Sequence, residues 1–191
     1  PFVDTGLNAN IGQRLTAVRS YLEGEEMFLA NYADGLTDLH LPDQIEHLKR
    51  LDRIASFLSV KPNMSYHFPT SDAQGIVTSF GDITQSDFRV NGGFFAFRQE
   101  IFKYMRPGEE LVVEPFQRLI REQQLVAYNY DGFWVPMDTA KDKKRLDDYY
   151  DSGNPPWFVW KNAAPRLAAS SIPTPVKVYA AGERAPEVIP A

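Results

Sequence analysis

Two carboxylates, about a hundred residues apart in the chain, are its most telling chemical groups. Asp34 closes the apolar run Met27 to Ala33 and precedes Gly35; Asp138 stands between the strand-like run ending at Met137 and a charged helix. Each has an ordinary local reading. Asp-Gly after a strand is a common turn, because Asp bonds its own backbone and Gly accepts positive φ. Asp ahead of Thr139 is a common helix cap. As a pair they carry more. Ligands of open α/β sheets gather beyond the carboxyl ends of the strands, and Mg²⁺ takes one or two protein carboxylates plus substrate phosphate oxygens. Asp34 and Asp138 therefore read as ligands of a shared hard cation in phosphate chemistry, while Asp38, one turn on, reads as solvated.

Other residues bear on the same chemistry. Asn91-Gly92-Gly93 stands ahead of an aromatic strand, where the glycines either relieve crowding or admit a sugar or phosphate to the backbone beside the Asn amide. Arg14 is positioned to clamp a phosphate bidentately or to serve as a surface residue. His40, His47 and His67 have no metal-ligand spacing, and with zero cysteines no thiol nucleophile, thiolate metal site or disulfide exists. Trp157 and Trp160 read as pins for the end of the domain.

Positioning these groups requires alternating strands and helices. Phe2 to Gly6 reads as a strand stub; Asn10 caps a helix with Leu15, Val18 and Leu22 on one face; Met27 to Ala33 reads as a strand buried on both faces. A helix opens at Leu41-Pro42-Asp43, and a strand runs from Ser56 to Val60. Further strands are expected over Gly75–Phe80, Val90–Phe97 and Leu125–Tyr130. A short helix precedes Pro107, and another opens at Glu114-Pro115 with Phe116, Leu119 and Ile120 inward. The rhythm predicts an α/β class with parallel strands and crossover helices. Residues 1–160 make one domain, and 161–191, with five of the fourteen prolines, reads as a draped or mobile tail.

Bulk properties narrow the partners. A net charge of −5 without a basic stripe argues against nucleic acid, and the longest apolar runs are strand-sized, too short for a membrane span. The absence of a signal-like start and of cysteine suggests a cytoplasmic protein.

On these residues the chain resembles the sugar-1-phosphate nucleotidyltransferases, and most closely the glucose-1-phosphate cytidylyltransferase branch. The matching stretches are Asp4-Thr5-Gly6, Ile11 to Leu15, Tyr32 to Gly35 with Asp38, Val90 to Phe95, Glu114-Pro115, Gly132-Phe133-Trp134 through Asp138-Thr139, and the Asp142-Lys143 and Pro156-Trp157 neighbourhoods. The resemblance implies a Rossmann-like nucleotidyltransferase fold, a mostly parallel mixed sheet flanked by helices. It also implies joining of CTP or another nucleoside triphosphate to a sugar-1-phosphate, glucose-1-phosphate first among them, with release of pyrophosphate. Asp34 and Asp138 match the family's magnesium ligands and catalytic carboxylates. Arg14, Gly12 and Asp34 match the nucleotide side, and Asn91, Gly92 and Tyr32 the sugar side. A homo-oligomer in polysaccharide biosynthesis is the expected setting.

Two departures stand out. The family's Gly-rich phosphate loop and following Lys have no counterpart here, so the chain reads as an N-terminally truncated domain, inactive alone. Where the family has a Lys for the sugar's phosphate, this chain has Asp82, with Lys61 or Arg89 as substitutes. One alternative stays open, a non-catalytic sugar- or nucleotide-binding remnant; against a glycosyltransferase of related fold using Asp34 to Asp38 as its acidic cluster stands the Phe133-Trp134 to Asp138-Thr139 context.

Overall fold

The computed structural model describes residues 2–62, 64 and 66–162. The tail expected over 161–191 therefore lies almost wholly outside the described residues. Nine strands and five helices are assigned among them: β1 Met27–Ala30, β2 Gly35–Thr37, β3 Ala55–Val60, β4 His67–Ser71, β5 Val77–Asp82, β6 Val90–Asn91, β7 Phe95–Arg98, β8 Leu125–Tyr130 and β9 Trp134–Pro136, with α1 Ile11–Ala17, α2 Leu41–Leu51, α3 Glu114–Arg121, α4 Ala140–Asp151 and α5 Val159–Asn162.

A five-stranded sheet forms the centre. β3 runs through its middle, parallel to β8 on one side and antiparallel to β7 and β6 on the other, and β1 pairs antiparallel with β7 at the edge. β2 and β9 form a separate antiparallel ribbon, and β4 and β5 a hairpin. The expected α/β class holds, but the mostly parallel arrangement does not: β3–β8 is the one parallel pairing among the described strands. A crossover through α3 makes that pair parallel, whereas β7 returns to β3 through the β4–β5 hairpin and so runs the opposite way.

Side-chain alternation along β3 feeds two cores. Ala55 and Phe57 meet Leu15, Phe28, Phe95, Phe97, Leu111, Phe116 and Leu119 on one face. Leu58 and Val60 meet Leu39, Phe94, Tyr130 and Trp134 on the other. With the whole Leu58 side chain removed from water, its burial contributes roughly 2 kcal/mol. Gln44 of α2 is also buried, its amide donating to the Phe94 carbonyl at 2.6 Å and to Ser56 Oγ at 3.3 Å, which ties α2 to the sheet.

Several sequence expectations change here. Phe2 to Gly6 forms no strand. The Met27 run pairs only as far as Ala30, and as an edge strand it buries Phe28 but leaves Leu29 half exposed. The helix after Asn10 stops at Ala17, and a 3₁₀ turn over Arg19–Leu22 continues it. On α3, Ile120 faces solvent beside the buried Leu119. The expected strand Val90–Phe97 is split into β6 and β7: Val60 pairs with Val90 and Ser59 with Asn91, whereas Ser56 pairs with Ala96, so four residues oppose two. This bulge carries two consecutive left-handed residues, Gly93 at φ 75° and Phe94 at φ 45°. A bulky residue there is strained, and bulges of this kind re-aim chains beside functional sites.

Candidate functional site

The bulge, the loop 31–34 after β1, and the segment after β9 converge at one rim of the sheet. Asn31 Oδ1 accepts from the Phe94 N–H at 2.8 Å, and Asn91 Oδ1 accepts from the Gly93 N–H at 3.0 Å, so two side chains hold the bulge in shape. Asn91 Nδ2 donates to the Tyr32 hydroxyl at 3.1 Å, linking bulge to loop. On the β2–β9 ribbon the Met137 N–H donates to the Asp34 carbonyl at 2.9 Å. Asp34 and Asp138 thus leave neighbouring chains of one two-stranded ribbon, and both are exposed.

Their side chains open onto different spaces. Asp34 lines a cavity of about 640 Å³ together with Thr5, Arg14, Asn31, Tyr32 and Leu111. Asp138 lines a neighbouring one of about 340 Å³ with Asn91, Trp134, Pro136, Thr139 and Asp142. The Tyr32–Asn91 hydrogen bond joins a residue of the first lining to one of the second. Burial raises the Tyr32 hydroxyl's pKa above the ordinary value; the bond from Asn91 opposes this, and the Glu110 and Asp34 charges reinforce it. The phenol therefore stays neutral near pH 7 and works as a hydrogen-bonding post.

Local sequence explains each placement. Asn10 caps α1 in a reciprocal box with Gln13, the Asn10 side chain accepting from the Gln13 N–H at 2.8 Å. One turn on, the Arg14 guanidinium donates to the Ala9 carbonyl at 2.9 Å and to Thr5 Oγ1 at 3.3 Å, which holds it over the larger cavity. Thr139 caps α4 in a second box with Asp142, so the helix begins at Ala140, two residues after Asp138. Cap duty therefore falls to Thr139, one residue past Asp138. No side-chain hydrogen bond or ion pair among the described residues engages Asp34 or Asp138. Each carboxylate, exposed and unengaged, is of the kind a hard divalent cation takes alongside water and phosphate oxygen. Among the described residues no third acidic or imidazole side chain completes a cluster.

Of the sequence-selected residues, Arg14, Tyr32 and Asp34 share the larger cavity, and Asn91 and Asp138 the smaller. The two glycines are placed otherwise. Gly12 is buried, and a Cβ there would overlap the Glu109 carbonyl oxygen and sit 3.3 Å from the Leu111 nitrogen. Gly92 is buried beneath Trp134, whose indole N–H donates to its carbonyl at 2.9 Å; a Cβ would stand 3.1 Å from that nitrogen and from Val60. Both are packing glycines, and neither is in the lining of these two cavities.

Asp38 is not solvated. It accepts from the Tyr130 hydroxyl and, at 2.8 Å, from the Phe133 N–H, locking the end of β2 to the β8–β9 turn. Burial and the Asp38 charge push the Tyr130 phenol well above its ordinary range. Arg89 is also committed elsewhere, donating to the Ser59 carbonyl at 2.9 Å and pairing with Asp131 at 2.5 Å, which removes it as a free phosphate cation. Asp82 accepts from the N–H and hydroxyl of Thr84, both at 2.9 Å, and these bonds lower its pKa. Trp157 does pin the end of the domain, packing on Phe133 and Tyr149, whereas Trp160 is exposed.

No family model matches the chain. By sequence it is similar to the glucose-1-phosphate cytidylyltransferase of Salmonella typhi, 33% identical over 162 residues. It is also similar to the probable glucose-1-phosphate cytidylyltransferase of Bacillus subtilis, 28% identical over 161 residues. Each match takes in 83% of this chain, which spans only 62% and 63% of the two relatives. The fold is similar to a crystal structure of a putative glucose-1-phosphate thymidylyltransferase from Bacillus anthracis in complex with a sucrose. There the TM-score is 0.53 at 11% identity, covering 75% of this chain and 61% of the other. No helix among the described residues is long and apolar enough to cross a membrane.

Proposed function

We propose that this chain, a relative of the sugar-1-phosphate nucleotidyltransferases by sequence and by fold, forms the metal- and sugar-phosphate-holding part of a glucose-1-phosphate cytidylyltransferase. The observation that carries the proposal is the two-cavity rim. Asp34 and Asp138 leave adjacent ribbon strands yet face separate spaces, one edged by Arg14 and the other by Asn91. A transfer between two phosphorylated substrates needs two pockets meeting where the bond changes hands.

In this reading the nucleotide lies on the Arg14 side and the sugar on the Asn91 side. An oxygen of the sugar's phosphate attacks the α-phosphorus of CTP in line, a new P–O bond forms, and pyrophosphate leaves with the electrons of the broken one. Arg14, anchored by Ala9 and Thr5, orients the nucleotide's phosphates. Tyr32 and Asn91 hold the partition between the substrates, and the remaining donor capacity of the Asn91 amide meets sugar hydroxyls. Mg²⁺ bound to Asp34 and Asp138 would supply charge neutralisation for the transferring group. The residues accelerate the reaction mainly by positioning, which can supply several kcal/mol of the barrier.

The test is pyrophosphate release by the intact gene product with CTP, glucose 1-phosphate and Mg²⁺. Asp138→Ala and Asp34→Ala should each lower turnover by roughly 100-fold or more, the scale of losing one electrostatic contact to the transition state. Undiminished release in both variants would remove the metal assignment. Binding of sugar phosphate with no release by the intact protein would favour the non-catalytic remnant.

A further inference from the structure

The position that holds a Lys in the family is Asp82, and Asp82 turns back onto Thr84. Of the substitutes, Arg89 is tied to Asp131 and two carbonyls. Lys61 lines a separate space of about 170 Å³ beside the Asp131 carboxylate. A different pair of cations faces the region. Lys141 and Arg145 stand one turn apart on α4 and line a cavity of about 500 Å³ with Tyr66, Thr84, Thr139 and Asp142. This cavity shares Thr139 and Asp142 with the one that Asp138 edges, so the two are contiguous.

The charges of α4 are sorted. Lys143 pairs with Asp147 at 2.6 Å and Lys144 with Asp148 at 3.0 Å. Lys141 and Arg145 reach no carboxylate among the described residues; Arg145 lies over the Tyr149 ring at 5.8 Å, which leaves its donors unspent. The one acid in their cavity, Asp142, is occupied by the Thr139 N–H at 3.0 Å and the Thr139 hydroxyl at 2.6 Å. Like charges one turn apart repel, and Asp142, the carboxylate in their cavity, makes an ion pair with neither among the described residues. An anion seated between them would relieve that repulsion.

We infer that Lys141 and Arg145 form the binding subsite for the phosphate monoester of the sugar substrate, in place of the cation lost at position 82. The inference rests on the nucleotidyl-transfer reading for the identity of the anion. Arg145 offers a planar fork of donors and Lys141 a mobile point charge, and Tyr66 and Thr84 border the same space. A dianion held there lies next to Asp138, and the sugar then extends toward Asn91 along the adjoining cavity. Asp82 does not line this cavity, its Oδ1 turning back to accept from Thr84.

Calorimetric titration of the chain with glucose 1-phosphate, inorganic phosphate and CTP tests this. Wild type should bind glucose 1-phosphate and, more weakly, inorganic phosphate, with affinity falling as salt rises. The double variant Lys141→Gln/Arg145→Gln should weaken both by at least ~10-fold, the loss of charge-assisted hydrogen bonds. Lys143→Gln, on the paired face, should bind as wild type does. Unchanged phosphate binding in the double variant overturns the subsite and leaves the function proposal standing, as does a wild type that binds neither phosphate at millimolar concentration. If the double variant loses both phosphates while the intact protein never releases pyrophosphate, the subsite stands and the nucleotidyl-transfer reading falls. Circular dichroism of the double variant matching wild type excludes unfolding as the cause.

Discussion

Replacing Gly12 by alanine separates a packing glycine from a ligand-contacting one. On propensity alone the change favours α1, since Ala exceeds Gly by about 1 kcal/mol within a helix. The surroundings oppose it. The added methyl would lie closer than 3 Å to the Glu109 carbonyl oxygen, and behind it stand the carbonyl carbon at 3.4 Å and the Leu111 nitrogen at 3.3 Å, all backbone. A carbon–oxygen contact settles near 3.3 Å, so α1 must back away by the better part of an ångström. That movement stretches the 3.1 Å bond from Asn10 Nδ2 to the Gly108 carbonyl and lifts Leu15 from the aromatic core. Overpacking of this kind costs about 1–3 kcal/mol, and the hydrogen bond about 1 kcal/mol more. The net expectation is a loss of about 2 kcal/mol, a Tm lower by roughly 4–8 °C for a chain of this size. Thermal and urea unfolding of the ligand-free chain read it directly. An unchanged or raised Tm would refute the reasoning and return Gly12 to the nucleotide side.

Two further substitutions probe the scaffold through pH. Glu109 is paired with Arg118, which also donates to the Tyr104 carbonyl, and the pairing holds the carboxyl below its ordinary range. Its stabilisation is therefore complete above the unfolded value of about 4.3 and fades as pH falls through the lower folded value. Glu109→Gln should flatten the acid limb of a stability–pH profile measured by urea midpoint; an identical limb would dismiss the pair as a contributor. Tyr130 presents the opposite sign. Burial and Asp38 raise its pKa, so its contribution is full below about pH 10 and is lost as pH climbs through the folded value. Tyr130→Phe should lose about 1 kcal/mol at neutral pH, together with much of the alkaline decline, and should remove one late-ionising phenol from an ultraviolet titration. An unaltered titration curve would contradict the burial argument.

Read alone, the chain of residues was informative wherever the deciding partners are close in sequence. Asn10 and Gln13, like Thr139 and Asp142, are three apart and cap their helices as the residue types require. The apolar run Ala55–Val60 is central because its residues alternate between two cores. Of the residues that carry the family resemblance, Arg14, Tyr32 and Asp34 border one cavity and Asn91 and Asp138 another. Only the tertiary structure could decide roles set by distant neighbours. Asp38 reads as a solvated turn residue until Tyr130 and Phe133, more than ninety residues on, donate to it. Gly12 and Gly92 read as ligand contacts until the Glu109 backbone and the Trp134 indole fill the space beside them. Strand direction is likewise invisible locally, because β6 and β7 alternate side chains in the same way whichever way they run along β3. Side-chain type and spacing determine what a segment is able to do, whereas burial and hydrogen-bond satisfaction depend on what the folded chain brings against it.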